Sequence, residues 1–165
     1  MQRFTMLAIC LLTLACFTAT TAQAQNAHFI HTATVGGVFS DGGISVSFKE
    51  AGVGDNQNVS YLFGGSFIAD YGCINHGGNH PSATNKTTVA GPLNVPATFS
   101  SDKNGTISQT IRFTPPDPNS ELNCPGNQVA VLADISYSSL SLADTTNNVS
   151  ANLDSTSASR TFFTF

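Results

Sequence analysis

Apolar residues recur at every second position through much of this chain, and no stretch beyond the first two dozen residues repeats them at the spacing of a helix. Ile44, Val46 and Phe48 alternate with Ser45, Ser47 and Lys49. The same alternation runs through Val59, Tyr61 and Phe63, through Phe67, Ala69, Tyr71 and Cys73, and through Val129, Val131, Ala133, Ile135 and Tyr137. Successive side chains of a strand point to opposite faces, so each run defines one buried face and one wet face. Such faces are buried by packing sheet on sheet. The expected architecture is all-β, an immunoglobulin-like antiparallel β-sandwich with one disulfide. The absence of Trp and the cysteine spacing set it apart from a true immunoglobulin domain.

Turn chemistry divides the runs. His28 to Val35 reads as a first strand, and Ser40 to Gly43 as a turn. Glu50 to Asn58 is a loop rich in Gly and Asn. Gly64 and Gly65 either close a hairpin or place a bulge in one long strand. Pro96 demotes Leu93 to Phe99 to an edge strand, because proline cannot donate to a ladder. Asp102 to Gly105, containing Asn-Gly, marks a hairpin whose return strand is Thr106 to Phe113. Pro115, Pro116 and Pro118 impose an extended crossover to Cys124. Val129 to Tyr137 reads as a central strand with Leu132 on the opposite face. Leu140 and Leu142 then fall on the opposite parity, which implies either a bulge near Ser138 or a switch of sheet. A last strand is expected within Arg160 to Phe165.

Met1 to Ala24 has the form of a secretory signal peptide: Arg3, an apolar run from Met6 to Phe17, and the small-residue ending Ala22, Gln23, Ala24. The run is shorter than the roughly 20 residues that span a bilayer. Residues 25–165 are then expected to be a single secreted domain, extracellular or retained in a periplasm or at a cell surface. Against its ten acidic residues stand Lys49, Lys86, Lys103, Arg112 and Arg160, five bases, for a formal charge of −5. That balance argues against nucleic acid and against anionic membrane surfaces. Removal of Cys10 and Cys16 with the signal leaves Cys73 and Cys124, an even pair expected to be oxidised together.

The stretch from Phe67 to Lys86 concentrates the polar chemistry. After Cys73, the residues Asn75, His76, Gly77, Gly78, Asn79, His80 and Pro81 end the strand and present a loop. Asn75, His76, Asn79 and His80 are the candidate contact residues. His76 and His80 could contribute to a Zn or Cu site, although two imidazoles are an incomplete ligand set. His28 and His31, three apart on a strand, face opposite sides and cannot both join them. Asp55, Asn56 and Asn58, and separately Asp41 and Asp102, are loop oxygens of the kind that bind Ca, and equally ordinary turn formers. The sequence has no GxSxG, HExxH or P-loop. A carboxylate pair such as Asp70 with Asp134 or Glu50 could serve glycoside cleavage only if the fold brought it together. Tyr61, Tyr71 and Tyr137, the tyrosines available for stacking on sugars, all stand at core parity. Asn58, Asn85, Asn104 and Asn148 begin N-x-S/T sequons, which matter only in a glycosylating host.

The segments VSFKEAGVGDNQNVSY, CINHGGNHPSATNK, SDKNG and CPGNQVAVLADISY resemble a family of small exported bacterial proteins with two mature cysteines. The resemblance covers roughly residues 27–148 and implies export and one domain. That family has no assigned activity, so it implies no residue roles. The expected function is a non-enzymatic extracellular binding or surface-interaction module without a cofactor, whose partner is a glycan or a protein. The alternative is a metal-dependent protein built on His76 and His80.

Overall fold

The computed structural model describes residues 26–75 and 85–164, and in it the alternating runs form two antiparallel sheets packed face to face. In the first sheet β3 (Ile44–Ala51) pairs with β6 (Thr106–Phe113) in unbroken register, from Ile44 opposite Phe113 to Ala51 opposite Thr106. The other edge of β3 is shared by β1 (His28–Phe29) and β2 (Thr34–Val35). The single first strand expected over His28 to Val35 is thus two short pieces. His31 at φ 67° explains the break, because a residue in the left-handed region cannot continue a ladder.

The second sheet is organised by β4 (Asn58–Asn75), which pairs on one side with β5 (Lys86–Ser100) and on the other with β7 (Gln128–Asp144). β4 passes through Gly64 and Gly65 without turning, so they lie in one long strand and do not close a hairpin, but the bulge beside them is not on β4. The extra residue lies on β7, where Ser139 adopts φ 54° and the register shifts opposite Gly64 to Ser66. A side chain at Gly65 would come within 3.0 Å of the Ser138 carbonyl oxygen, so the bulge needs a glycine facing it. This shift returns Leu140 and Leu142 to the core, as their parity required. A further irregularity at Ala133 corrects the sequence reading. Leu132 stands opposite Tyr71 of the inner face, and Val131 opposite Gly72 of the outer face, so the regular face of β7 does not extend back to Val129.

The remaining edge of β7 is divided between β8 (Val149–Ser150) and β9 (Ala158–Thr161). β5 is an edge strand within the second sheet, carrying Pro92 and Pro96 at the same parity. Their missing N–H groups therefore fall on one side, the unpaired one, and the register with β4 continues across both. Lateral stitching joins the sheets. The Ala33 N–H donates to the Asn152 carbonyl at 2.7 Å, and Val35 donates to Asp154 Oδ1 at 2.8 Å.

The core between the sheets holds two aromatic groups. Phe48 and Tyr61 have ring centroids 4.6 Å apart, with Phe99 and Phe29 around them. Phe67 and Phe113 lie 5.2 Å apart beside Tyr137. Each ring buried contributes on the order of 2–3 kcal/mol relative to exposure. Cys73 is bonded to Cys124, with Cα atoms 5.6 Å apart. Cys124 stands outside any strand, so the bridge ties the crossover after β6 to β4 and is not the sheet-to-sheet clamp of antibody domains. Among the described residues no helix is long and apolar enough to cross a membrane.

Closing a loop between residues 51 apart in sequence should restrict the unfolded chain substantially. A Cys73→Ser/Cys124→Ser variant is expected to lose about 2–4 kcal/mol in urea unfolding. The intact protein should lose the same amount on adding reductant, and the variant nothing.

Candidate functional site

At the end of the sandwich where β6 stops, Pro115 and Pro116 end strand pairing and send the chain across the mouth of the core. The crossover is held from below by a β4 residue, Tyr71, whose hydroxyl donates to the Pro116 carbonyl at 2.9 Å. Asp117 then caps the single helical turn α1 (Pro118–Glu121), its Oδ1 accepting from the Asn119 N–H at 2.8 Å. The disulfide brings the segment back to β4. The facing wall is Ala130 to Leu132 of β7 together with Phe162 and Phe163. Both phenylalanine N–H groups donate to the Ala133 carbonyl, at 2.7 and 3.1 Å, so the irregularity in β7 is what positions this wall.

Between the walls lies a cleft of about 480 Å³, lined by Pro115, Pro116, Pro118, Leu132, Phe162 and Phe163 and carrying Asp41 and Asp117. Its floor is the turn at Gly42. The buried Tyr137 hydroxyl donates to the Gly42 carbonyl at 2.6 Å, and a Cβ on Gly42 would meet Leu132 Cδ2 at 2.3 Å. Gly42 also needs φ 82°, which only glycine adopts at little cost. Asp41 accepts from the Gly43 N–H and takes Arg112 Nη2 on both carboxylate oxygens, at 2.7 and 2.6 Å. The Gly43 bond, aided by the guanidinium, holds its carboxyl below the usual range. Burial pushes the Tyr71 hydroxyl up to about 12, with Glu121 and Asp117 adding to it, and burial raises Tyr137 as well. Both phenols are therefore neutral donors that fix backbone carbonyls.

A second polar group lies at the opposite end of the core. Glu50, Asp144 and Tyr61 come from β3, β7 and β4, and the two carboxyl groups are both 0% exposed. Tyr61 donates its hydroxyl to Glu50 Oε2 at 2.6 Å. Asp144 accepts from the Thr146 and Asn147 N–H groups and from Asn147 Nδ2. Glu50 Oε1 is buried with no donor facing it. Burial pushes the Glu50 carboxyl up to about 7, opposed by the Tyr61 hydroxyl and reinforced by the Asp144 carboxylate.

The candidates read from sequence are distributed differently. Asn75 is the exposed last residue of β4, opposite Gln128, while His76, Asn79 and His80 lie outside the described residues. His28 is exposed and bonds Asn26. Among the described residues no group of three or more His, Cys, Asp or Glu could hold a metal. Asp102 serves as a turn former, Oδ1 accepting from the Asn104 and Thr106 N–H groups. Tyr61, Tyr71 and Tyr137 are buried, as their parity required. Asp70 does stand directly opposite Asp134 on the outer face of the second sheet. Thr88 donates to Asp70 and Thr161 to Asp134, completing a Thr–Asp–Asp–Thr row across β5, β4, β7 and β9. The row lies on an open sheet face rather than in a cleft. The sequence reading missed the cleft itself. The available signal was the PP-D-P run followed by cysteine, which a crossover pinned at both ends requires.

No family model matches the chain, and neither the curated proteins nor the solved structures contain a match.

The floor of the cleft should be sensitive to single atoms. Tyr137→Phe deprives the Gly42 carbonyl of its buried donor and is expected to cost about 1–2 kcal/mol in urea unfolding. Gly42→Ala should cost at least as much, through both its positive φ and the Leu132 contact. Its methyl group should also shift the amide resonances of residues 130–132.

Proposed function

We propose that the chain is an exported, non-enzymatic binding module, and that the cleft between the crossover and β7 is its ligand site. The observation that carries this reading is the cleft. Ligand sites are concave and mostly apolar, with a few fixed polar groups and volumes of roughly 300–1,000 Å³. Proline and phenylalanine faces suit a ligand with an apolar face, and the Asp41 and Asp117 carboxylates suit hydroxyl donors at its edge. A sugar ring meets both requirements, so a glycan is the favoured class. Ala130 of the cleft wall is paired with Cys73, two positions before Asn75. β4 therefore ends, at the exposed Asn75, within about 7 Å of the cleft along the strand. Export rests on the signal-like first 24 residues and the disulfide, and the non-enzymatic assignment on the lack of a catalytic motif.

The test is a titration of the oxidised protein with Nile red, a neutral apolar probe, followed by displacement with chito- and cello-oligosaccharides. One saturable site per chain is expected, weakened at least tenfold in Val131→Arg and Phe163→Ala, with displacement by one oligosaccharide series. Deleting residues 76–80 should weaken oligosaccharide binding more than dye binding. Equal affinity in all variants would remove the cleft from the proposal.

A further inference from the structure

The buried carboxyl pair at the other end of the core has no part in that reading. Tyr61 bonds Glu50 and stands opposite Asp144 in the β4–β7 register, so with both groups ionised two buried negative charges would act on each other, and Glu50 Oε1 would be a buried acceptor lacking a donor. Both defects vanish if one proton is retained. An ionised carboxylate offers about four lone-pair sites, and Asp144 already fills three with Thr146 N–H, Asn147 N–H and Asn147 Nδ2. Those donors make Asp144 the acceptor of the pair. Glu50 uses Oε2 to accept from Tyr61, so the proton belongs on Oε1, where it can donate into the vacant site of Asp144. Two carboxylates that share a buried site retain one proton rather than ionise together. A metal ion fits less well, because a hard cation requires six or more oxygens and the donors around Asp144 occupy the lone pairs it would use.

We propose that Glu50 and Asp144 share one proton across the two sheets and that this proton is a pH-operated latch on the β7–β8 turn. Glu50 belongs to the first sheet and Asp144 to the second, so the bond joins them at one end of the sandwich. Asp144 also organises the turn into β8, and Thr146 Oγ1 in that turn accepts from the Ser60 N–H at 2.9 Å. The ionisable groups facing Glu50 are Tyr61 from β4, Asp144 from β7 and, more remotely, His28 from β1. From β6 its neighbour is Ile107. Loss of the proton places two charges against each other, and the turn that follows Asp144, with Thr145, Thr146 and Asn148 exposed, is free to move outward in response.

The sign of the effect follows from which state holds the proton longer. Folded Glu50 keeps it up to about 7, whereas the unfolded side chain releases it near 4.5. The stabilisation is therefore complete below 4.5 and is lost as pH rises through 7, levelling off above.

The experiment is urea unfolding from pH 4 to pH 9 on the wild type and Glu50→Gln. The side-chain amide of that variant would copy the protonated acid, donating to Asp144 while accepting from Tyr61. The wild-type folded-to-unfolded ratio should fall by roughly two orders of magnitude across the window, and the variant should lose most of that slope. Should the variant not fold, the wild type still decides the matter. Glu50 and Glu121 are the glutamates of the chain, so carbon-detected NMR resolves their carboxyl groups, with the exposed Glu121 as internal reference. A Glu50 midpoint near 7 supports the shared proton, and one near 4.5 overturns it. Hydrogen exchange, corrected for its intrinsic pH dependence, reads the latch. Protection at residues 145–150 should drop above pH 7 relative to β6, and a uniform change would overturn that part.

Discussion

Everything in this structure depends on the inner face of β4. That face runs from Val59 through Tyr61, Phe63, Phe67, Ala69 and Tyr71 to Cys73, all nearly or fully inaccessible to water. An eighteen-residue strand paired on both edges has few unsatisfied backbone groups, and its alternate side chains enter one core. The register of that face is consequently strict, since a slip of one residue would expose every aromatic ring on it. The bulge at Ser139 is a response to the strictness. β7 must bring Leu140, Leu142 and Asp144 to the same core as Ile135 and Tyr137, and only an extra residue changes the parity between the two sets.

This rule accounts for what could be read in the sequence. Parity is a local property, so the buried faces of β3 and β4, the edge position of β5 and the change of parity near Ser138 were all legible, and the structure resolves that change as a bulge rather than a switch of sheet. The break at His31 was not, because nothing in HFIHTATV shows that this position must take a positive φ. The irregularity at Ala133 was hidden for a different reason. Val129, Val131 and Ala133 continue the spacing of Ile135, and the partner of the shifted residue is a distant element, the Phe162 and Phe163 N–H groups that take the Ala133 carbonyl. The sites were less legible than the fold. The cleft gathers residues 40–41, 114–118, 130–132 and 162–163, four separated segments, and no local pattern encodes their meeting. Asp70 and Asp134 meet because two strand registers align, which a list of carboxylates cannot reveal.

The two ends of the sandwich resolve the same physical problem differently. At either end a sheet's last residues must stop pairing without leaving polar groups stranded in the core. At the disulfide end, Tyr71 and Tyr137 reach outward from the core and donate to the carbonyls of Pro116 and Gly42, so neutral phenols satisfy the crossing chain. Because these bonds involve no ionisation near neutral pH, the floor and the crossover of the cleft keep their positions as pH changes. The Cys73–Cys124 bridge adds a constraint that is likewise indifferent to pH.

At the far end the third tyrosine, Tyr61, meets a carboxyl instead of a carbonyl, and the balance changes. A carboxyl can satisfy its neighbours in one protonation state and offend them in the other, so this end inherits a dependence on pH near neutrality that the two phenols of the cleft end lack. Tyr61 and Tyr71 are ten residues apart on one strand, roughly 33 Å, so the two ends are well separated. The intervening core is close-packed and shared by both. Loosening of the Asp144 turn would be felt first by β8 and by the Ala33 to Asn152 stitching beside it, and only through the length of β4 by the cleft. Stability is therefore expected to respond to pH through Glu50 while the geometry of the cleft, held by the Tyr71 and Tyr137 bonds and the disulfide, does not follow it.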